Sequence, residues 1–469
     1  MPDPPERAPN EPLEPGKCQQ LARWATSRRF EDLPSDGLDY LKLLVLDTLG
    51  CAIAALRGGP IGTIRALEQE AGGNQQCTLI GGGRTAAERA TFFNGVLVRY
   101  LDFMDIYMVR GQTCHPSDNL AAVLGATELA AGTGKDFLTA LAVAYQVQGR
   151  FSEMAPLQEK GFDHVTHLAF SVPAAVSRAL GLAPREAANA IALCGASLTT
   201  LWVVRTGRLS QWKGIASAQA AMAAVHMTLL AARGITGPLN LMEGPQGWEE
   251  TVGDRVDIDW EVEPLDRFRQ SSVKRYNAEA HTQSILEGLL ELRERERIAA
   301  EDVLRVEVDT FKQAHNIVGG GEAGDRATVL NKEQADHSLS YLCAVAIIDG
   351  DVYPEQFADE RVAQPDVQEL MRRVWTRQRE ASSARYPTEM PMRIAVLLRD
   401  GRELVQEKND YLGFWRTRPL DWQGALSKFE RLTAAILDPG LRRELPEAVR
   451  SLESITVADL TSLLGRIRA

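Results

Sequence analysis

The amino-acid sequence predicts a mainly α-helical protein with a smaller α+β domain inserted into it. Helical periodicity runs almost without interruption from about residue 21 to residue 265. Near residue 270 the pattern changes, and "VLRVEVDTF" and "MRIAVLLRDGREL" alternate as strands do. A helical pattern returns from "QGALSKFERLTAAIL" onward. We therefore predict a large all-helical domain built from both ends of the chain (18–269 and 405–469) and an α+β lid domain (270–404).

Each predicted helix rests on spacing and on start or stop signals. "DGLDYLKLLVLDTLGCAIAAL" has apolar residues at i, i+3, i+4 and i+7. "SDNLAAVLGATELAAGTGKDFLTALAVAYQVQGRF" indicates two helices broken at "GTGK", and Pro116, Ser117 and Asp118 supply the start of the first. "SVPAAVSRALGLAPREAANAIALCGASL" predicts two more. In the lid domain, "ADHSLSYLCAVAIIDG" is typical of a helix, and the Asp-Gly pair in the second strand segment indicates a turn.

Composition narrows the possible functions and surroundings. The net charge of −11 argues against binding to nucleic acid or to anionic lipid. Two uncharged stretches, 187–204 and 215–232, are rich in small residues, which favours buried helices over membrane spans. The six cysteines are scattered without a CxxC motif, which predicts free thiols in a reducing, cytoplasmic compartment. The first 17 residues have no apolar core of a signal peptide and are expected to form a disordered leader.

Five polar segments interrupt the apolar pattern and hold five of the seven histidines. One His beside a helix start is more often structural than catalytic, so the segments carry weight only together. The segments are "LDFMDIYMVRGQTCHPSDN", "GFDHVTH", "RTGRLSQWKG", "VKRYNAEAHTQS" and "ADHSLSYL".

The sequence lacks the motifs that are typical of several other enzyme classes. No HExxH is present, and His164 and His167 stand at i and i+3 without an obvious third or fourth ligand, so we predict no metal site. No GxGxxG follows a strand, no P-loop lysine follows the glycine-rich stretches, and no GxSxG is found. The residues therefore favour acid/base chemistry by His, Asp and Lys on an anionic substrate, without a cofactor.

Five segments occur in an order that resembles a known family, the MmgE/PrpD family. They are "HPSDNLAAVLGATELA", "GFDHVTHLAFSVPAAVSRALGL", "WKGIASAQAAMAAV", "VKRYNAEAHTQS" and "DHSLSYLCAVAIIDGDV". The resemblance covers about residues 18–435, and the family includes 2-methylcitrate dehydratases, cis-aconitate decarboxylases and iminodisuccinate epimerases. It implies a helical domain with an inserted lid, a homodimer, and no metal, iron–sulfur cluster or nucleotide.

The resemblance also implies a site in the cleft between the two domains. Its catalytic residues would be Asp102, His115, His164, Lys213 and Lys274. The two histidines would move protons, the two lysines would hold carboxylate charge, and the aspartate would orient His115 at the start of a helix.

Four more residues are expected to bind substrate: Asp105, Arg275, His281 and Gln283. The chain departs from the family pattern at Met104 and Ile106, where a polar residue and a hydroxyl are usual, and, less seriously, at Asn277, where Pro is usual. These departures bear on the identity of the substrate more than on the chemistry.

The expected reaction is elimination of water from a di- or tricarboxylate, as in 2-methylcitrate dehydratase and propionate metabolism. Decarboxylation of a cis-aconitate type of substrate, epimerisation of a related polyacid, and a non-catalytic role stay open, because residue types alone do not separate them. We expect no nucleic-acid or membrane partner.

Overall fold

The computed structural model describes residues 15–468, so most of the predicted leader (1–17) lies outside the described residues. Within the described part, helices dominate and the strands form small sheets, which confirms the predicted fold class. The helices before the inserted part are α1 (Lys17–Ser27), α2 (Leu38–Ala54), α3 (Ile61–Ala71), α4 (Ala87–Tyr100), α5 (Leu120–Leu129), α6 (Gly134–Met154), α7 (Leu168–Ala179), α8 (Pro184–Ser197), α9 (Ala216–Ala231) and α10 (Trp248–Thr251).

Two short antiparallel hairpins lie between these helices: β1 (Cys77–Thr78) with β2 (Arg84–Thr85), and β3 (Tyr107–Val109) with β4 (Gln112–Cys114). The inserted part contains α11 (Gln283–Glu296), β5 (Val303–Thr310), α12 (Lys312–Val318), α13 (Lys332–Ala335), α14 (Leu339–Asp349), α15 (Asp359–Val362), α16 (Pro365–Met371), β6 (Val374–Gln378), α17 (Glu380–Arg385), β7 (Met392–Leu398) and β8 (Glu403–Lys408). The chain ends with α18 (Trp422–Thr433), α19 (Pro439–Arg450) and α20 (Val457–Arg466).

The helical body has one apolar core to which both ends of the chain contribute. Its residues come from the stretch between Cys18 and Val273 and from the stretch between Ala425 and Ile467. Helix α2 packs on α18, and α4 packs on α9. Small residues allow the second pair to lie close: a Cβ added at Gly95 of α4 would stand 3.0 Å from the Cβ of Ala218.

The lid has its own core, formed by residues between Tyr276 and Leu398. Its sheet has the strand order β6-β5-β7-β8, with β5 and β6 parallel and the other two pairs antiparallel. Helices α11 and α14 contact this sheet. The Asp400-Gly401 pair forms the turn between β7 and β8, with Gly401 at φ 91°, a backbone conformation that glycine adopts without strain.

Body and lid meet where the polar loops of both parts face each other. The backbones of Ile106 and Ser272 pair beside this boundary, and Ile106 belongs to a small apolar cluster with Phe311, Tyr386 and Tyr411. Within residues 15–468 no helix has both the length and the apolar character that crossing a membrane requires. The two uncharged stretches of the sequence correspond largely to α8 and α9, which pack on each other.

Candidate active site

A cavity lies between the body and the lid, at the loops that carry the polar segments. Its volume is about 40 Å³, and it is partly open to solvent. The body contributes Arg99, His115, His164 and Arg205 to its wall, and the lid contributes Glu279, His281 and His337. Trp202, Ala280 and Ile317 supply apolar surface. The cavity therefore combines several histidines with two arginines and a limited apolar wall.

Asp102 is the centre of the charged network beside this cavity. It is buried, and its backbone is left-handed at φ 57°. Its carboxylate accepts hydrogen bonds from Arg99 Nη1 at 2.9 Å, Lys213 Nζ at 2.9 Å and Lys274 Nζ at 2.7 Å. Burial opposes the charge of Asp102, but Lys213, Lys274 and Arg99 outweigh burial and hold its pKa well below the usual range. Asp102 is therefore an ionised anchor that three cations share.

Lys213 joins the body to the lid. Its ammonium donates to Asp102 Oδ2 at 2.9 Å and to Asp336 Oδ1 at 2.8 Å, and Asp336 also accepts from Lys332 at 2.8 Å. Asp102, Asp336 and His337 bring three potential metal-ligand atoms within 4.8 Å of one another. Because the Lys213 ammonium already bonds both carboxylates of this group, a metal ion would have to compete with that fixed positive charge.

His115 is held as a neutral base. It directly precedes the turn of 3₁₀-helix at Pro116–Asn119 that leads into α5. Its Nδ1 lies 2.7 Å from the backbone oxygen of Asp105. A carbonyl oxygen only accepts, so Nδ1 carries the proton and Nε2 keeps its lone pair. Burial, followed by the charges of Arg99 and Lys274, lowers the pKa of His115 well below the ordinary value.

His164 stands beside His115, with 5.3 Å between the ring centroids. Carboxylates flank both of its nitrogens: Asp163 Oδ1 is 3.3 Å from Nδ1, and Asp118 Oδ2 is 3.7 Å from Nε2. Arg205 holds Asp163 in place through bonds of 2.8 and 3.3 Å. The site therefore pairs the neutral His115 with a second histidine that two carboxylates flank.

The lid supplies two further histidines. His281 Nδ1 lies 2.7 Å from Glu279 Oε1, and its Nε2 lies 2.9 Å from the hydroxyl of Tyr386. His337 Nδ1 lies 2.7 Å from Asp336 Oδ1. Burial and Lys213 lower the pKa of His337 to about 4, although Asp336 acts in the opposite direction. His337 is therefore neutral near pH 7, with its Nδ1–H directed to Asp336.

The structure brings the expected residues to this region in different roles. His115, His164, His281 and Asp102 line the cavity. Lys213 and Lys274 are buried behind it, with their ammonium groups bonded to Asp102.

Three expected substrate-binding or positioning residues do not line the cavity. The Asp105 carboxylate is buried and accepts from Ser117 N at 3.2 Å, and burial raises its pKa to about 6. Arg275 is exposed and lines a separate cleft. Gln283 is buried and accepts from the backbone amides of residues 275 and 276, each at 3.0 Å.

Two of the three departures from the family pattern, Met104 and Ile106, are also buried away from the cavity. Met104 Sδ lies 3.3 Å from Arg99 Nη1, and Ile106 packs in the apolar cluster at the boundary with the lid. Neither side chain is part of the cavity wall.

Sequence reasoning did not assign several residues of the wall to the site, among them Arg99, Arg205 and His337. Arg99 lies in the last turn of α4, where a solvated cation is the ordinary interpretation. His337 stands in a polar segment that the sequence does single out, next to Asp336. Arg205 opens the polar segment "RTGRLSQWKG" directly after a long uncharged stretch, and that position is the signal that could have identified it.

The fold and this cavity define a two-domain protein with an interdomain site of buried histidines, carboxylates and arginines. Sequence profiles of the MmgE/PrpD N-terminal and C-terminal domains match residues 19–261 and 276–454. The chain therefore belongs to the MmgE/PrpD family, which confirms the resemblance seen in the sequence.

Several proteins named as dehydratases are similar to this chain over most of their length. A 2-methylcitrate dehydratase of Cupriavidus necator is 26% identical over 426 residues, which cover 83% of this chain and 84% of that protein. A 2-methylcitrate dehydratase of Escherichia coli K12 is 27% identical over 350 residues, or 68% of this chain and 69% of that protein. A fungal alkylcitrate dehydratase is 26% identical over 408 residues, or 80% and 78%.

Proposed function

We propose that this protein is a hydro-lyase that removes water from an alkyl-substituted citrate, such as 2-methylcitrate, without a metal or another cofactor. The relatives named 2-methylcitrate and alkylcitrate dehydratase support a dehydratase function at the level of the family. The observation that carries the proposal is His115, whose Nδ1–H is committed to the Asp105 carbonyl and whose Nε2 is free to accept a proton at the cavity.

The elimination needs a base, an acid and compensation of developing charge. His115 Nε2 takes the proton from the carbon next to a carboxylate, and the C–H electron pair forms the carbon–carbon double bond. The C–O bond of the hydroxyl breaks, and His164 gives its proton to the departing oxygen, which leaves as water. Arg99 and Arg205 face the carboxylate charge that grows as the proton leaves. Proton exchange with solvent then restores both histidines.

The apolar part of the wall supports a substrate that carries an alkyl group. Trp202, Ala280 and Ile317 stand in a wall whose other residues are polar or charged. A short alkyl substituent placed against this surface is removed from contact with water, which favours binding. Unsubstituted citrate has no alkyl group that could be buried there. We therefore assign the alkyl group of the substrate to this wall.

Three further features belong to this proposal. We place the protein as a homodimer in the cytoplasm, acting in propionate metabolism. The six cysteines, which are unpaired and buried, support a reducing compartment. The dimer rests on the family resemblance, and light scattering coupled to size-exclusion chromatography tests it.

Proton NMR of the purified protein with candidate substrates tests the function. We expect an unsaturated tricarboxylate to form from 2-methylcitrate, and less of the corresponding product from citrate. Loss of carbon dioxide from cis-aconitate would instead identify a decarboxylase. Exchange of solvent deuterium into unchanged iminodisuccinate would identify an epimerase. If none of these substrates reacts, the enzymatic proposal is rejected.

The variant His115→Ala tests the assigned base, and His226→Ala is a matched control because His226 is exposed on α9. Removal of a general base lowers the rate by about 10²–10⁴-fold. We expect His115→Ala to lose turnover by that factor with an unchanged circular dichroism spectrum, while His226→Ala keeps wild-type turnover. Wild-type turnover by His115→Ala would refute the role of His115.

A further inference from the structure

We propose that Lys428, on α18 near the opposite end of the chain from Asp102, is a positioning residue for the active site. Its side chain is buried, and its ammonium donates to the carbonyl oxygens of Phe103 at 2.8 Å and Lys274 at 2.9 Å. The same ammonium lies 2.7 Å from Asp47 Oδ1 on α2. The ammonium therefore donates two hydrogen bonds to backbone carbonyls and forms an ion pair with Asp47.

The two carbonyl groups belong to the segments that form the Asp102 network. Phe103 follows Asp102 directly, and Asp102 has a left-handed backbone at φ 57°. Lys274 donates through its own side chain to the backbone oxygen of Asp102 at 2.8 Å and to its carboxylate at 2.7 Å. A strained backbone persists only where its surroundings fix it on several sides. Lys428 holds the backbone of Phe103, which follows Asp102, and the backbone of Lys274, which bonds Asp102.

The aromatic ring of Phe103 completes this arrangement. The Lys428 ammonium lies 3.9 Å from the centroid of that ring, a cation–π distance. Phe103 is therefore held through its carbonyl oxygen and through its side chain by one group. Because α18 packs on α2, the position of the ammonium is set by two helices of the body and not by the site itself.

Three variants separate positioning from simple charge compensation. Lys428→Met leaves Asp47 buried without its partner, and that variant alone can fail to fold. The double variant Asp47→Asn/Lys428→Met removes both charges and restores electrostatic balance, but the two carbonyl groups still lose their donor. Lys42→Met is the matched control: Lys42 is a buried lysine that donates to the Arg450 carbonyl at 2.9 Å and pairs with Glu453 at 2.6 Å, remote from the site.

The kinetic readout rests on the proposed function. Displacement of a catalytic group by about 1 Å costs on the order of 10²-fold in rate. We expect kcat of the double variant to fall by that order while KM changes less than threefold, and kcat of Lys42→Met per folded molecule to stay at the wild-type value. Recovery of wild-type kcat in the double variant would show that Lys428 only neutralises Asp47, and would overturn the inference.

A crystal structure of the double variant gives a readout that does not depend on activity. We expect Asp102 to leave the left-handed region and its bond to Lys274 to lengthen beyond hydrogen-bonding distance. If Asp102 keeps its backbone conformation and its bonds, the inference is overturned even when the wild-type protein turns over substrate. If the wild type is inactive toward every polycarboxylate while Asp102 moves, the proposed function fails and the positioning role stands.

Discussion

Replacement of Asp102 by Asn removes the negative charge on which the network depends and leaves the backbone nearly undisturbed. Asn is among the few residues other than Gly that tolerate the left-handed conformation, so the φ of 57° can persist. The amide, however, presents an N–H or a weaker oxygen to Arg99, Lys213 and Lys274, all of which bond the carboxylate within 2.9 Å.

The expected loss follows from the burial of these groups. Removal of one partner from a buried ion pair costs about 3–5 kcal/mol, because an uncompensated charge remains. Burial already lowers the pKa of Lys213, and Asp102 opposes that effect, so the pKa of Lys213 falls further in the variant. Between this lower pKa and the value in the unfolded chain, the unfolded state binds more protons. The free energy of unfolding of the variant therefore rises with pH in that window.

Guanidinium unfolding followed by circular dichroism at pH 7 and pH 9 measures both effects. We expect Asp102→Asn to be destabilised at pH 7 by about 3–5 kcal/mol and to recover part of this loss at pH 9. Asp102→Ala serves as the comparison, and it should lose about 1–2 kcal/mol more because Ala is strained at positive φ. A free energy of unfolding for Asp102→Asn within about 1 kcal/mol of wild type at both pH values would refute the reasoning.

Three further predictions concern the surroundings of the site. Burial raises the pKa of Asp105 to about 6, above its unfolded value, so the folded state holds this proton to higher pH. The contribution of Asp105 to the free energy of unfolding of the wild type should therefore fall by about 2 kcal/mol as the pH rises from 4 to 7. Urea unfolding of Asp105→Asn should show a free energy of unfolding without this pH-dependent fall. The same dependence on pH in the variant and the wild type would contradict the assignment to Asp105. Trp202→Ala should lower the preference in kcat/KM for 2-methylcitrate over citrate about fourfold, the value of one buried methylene. Val203→Ala, at an exposed neighbour outside the cavity wall, should leave that ratio unchanged, and equal effects of both variants would exclude an alkyl-binding role for Trp202. Arg205→Lys should lower kcat/KM about tenfold or more because Lys cannot bond both oxygens of Asp163, and wild-type kinetics would show that the double contact is dispensable.

Much of the fold could be predicted because local chemistry and tertiary packing agree. The "GTGK" break separates α5, which ends at Leu129, from α6, which begins at Gly134. The Asp-Gly turn lies between β7 and β8 as expected. Strand β6 was not predicted, because its short, exposed, partly charged sequence has no apolar alternation and its place depends on pairing with β5.

The β3–β4 hairpin in the first polar segment was not predicted either. Its strands have three residues each, and its turn depends on Gly111 at φ 81°. Such short pairings gain their stability from tertiary contacts, which periodicity does not reveal.

The sequence could indicate candidate residues of the site by their type. It could not indicate which of these side chains point toward the site. The histidines were singled out because five of the seven gather in polar segments that interrupt an apolar pattern. Lys274 and Arg275 are adjacent in sequence, yet one is buried against Asp102 and the other faces solvent. Consecutive side chains of a non-helical segment point in different directions, and no residue count indicates which of the two turns inward.

The pairing of α2 with α18 has a consequence for the order in which the protein is made. At about 5–20 residues per second, roughly 20 to 70 s separate the synthesis of these two helices on a ribosome. Throughout that interval the apolar surface of α2 has no α18 to cover it, and Asp47 has no Lys428. The core of the helical body can be completed only after the whole lid has been translated. The lid therefore leaves the ribosome while the core of the body still lacks its last helices.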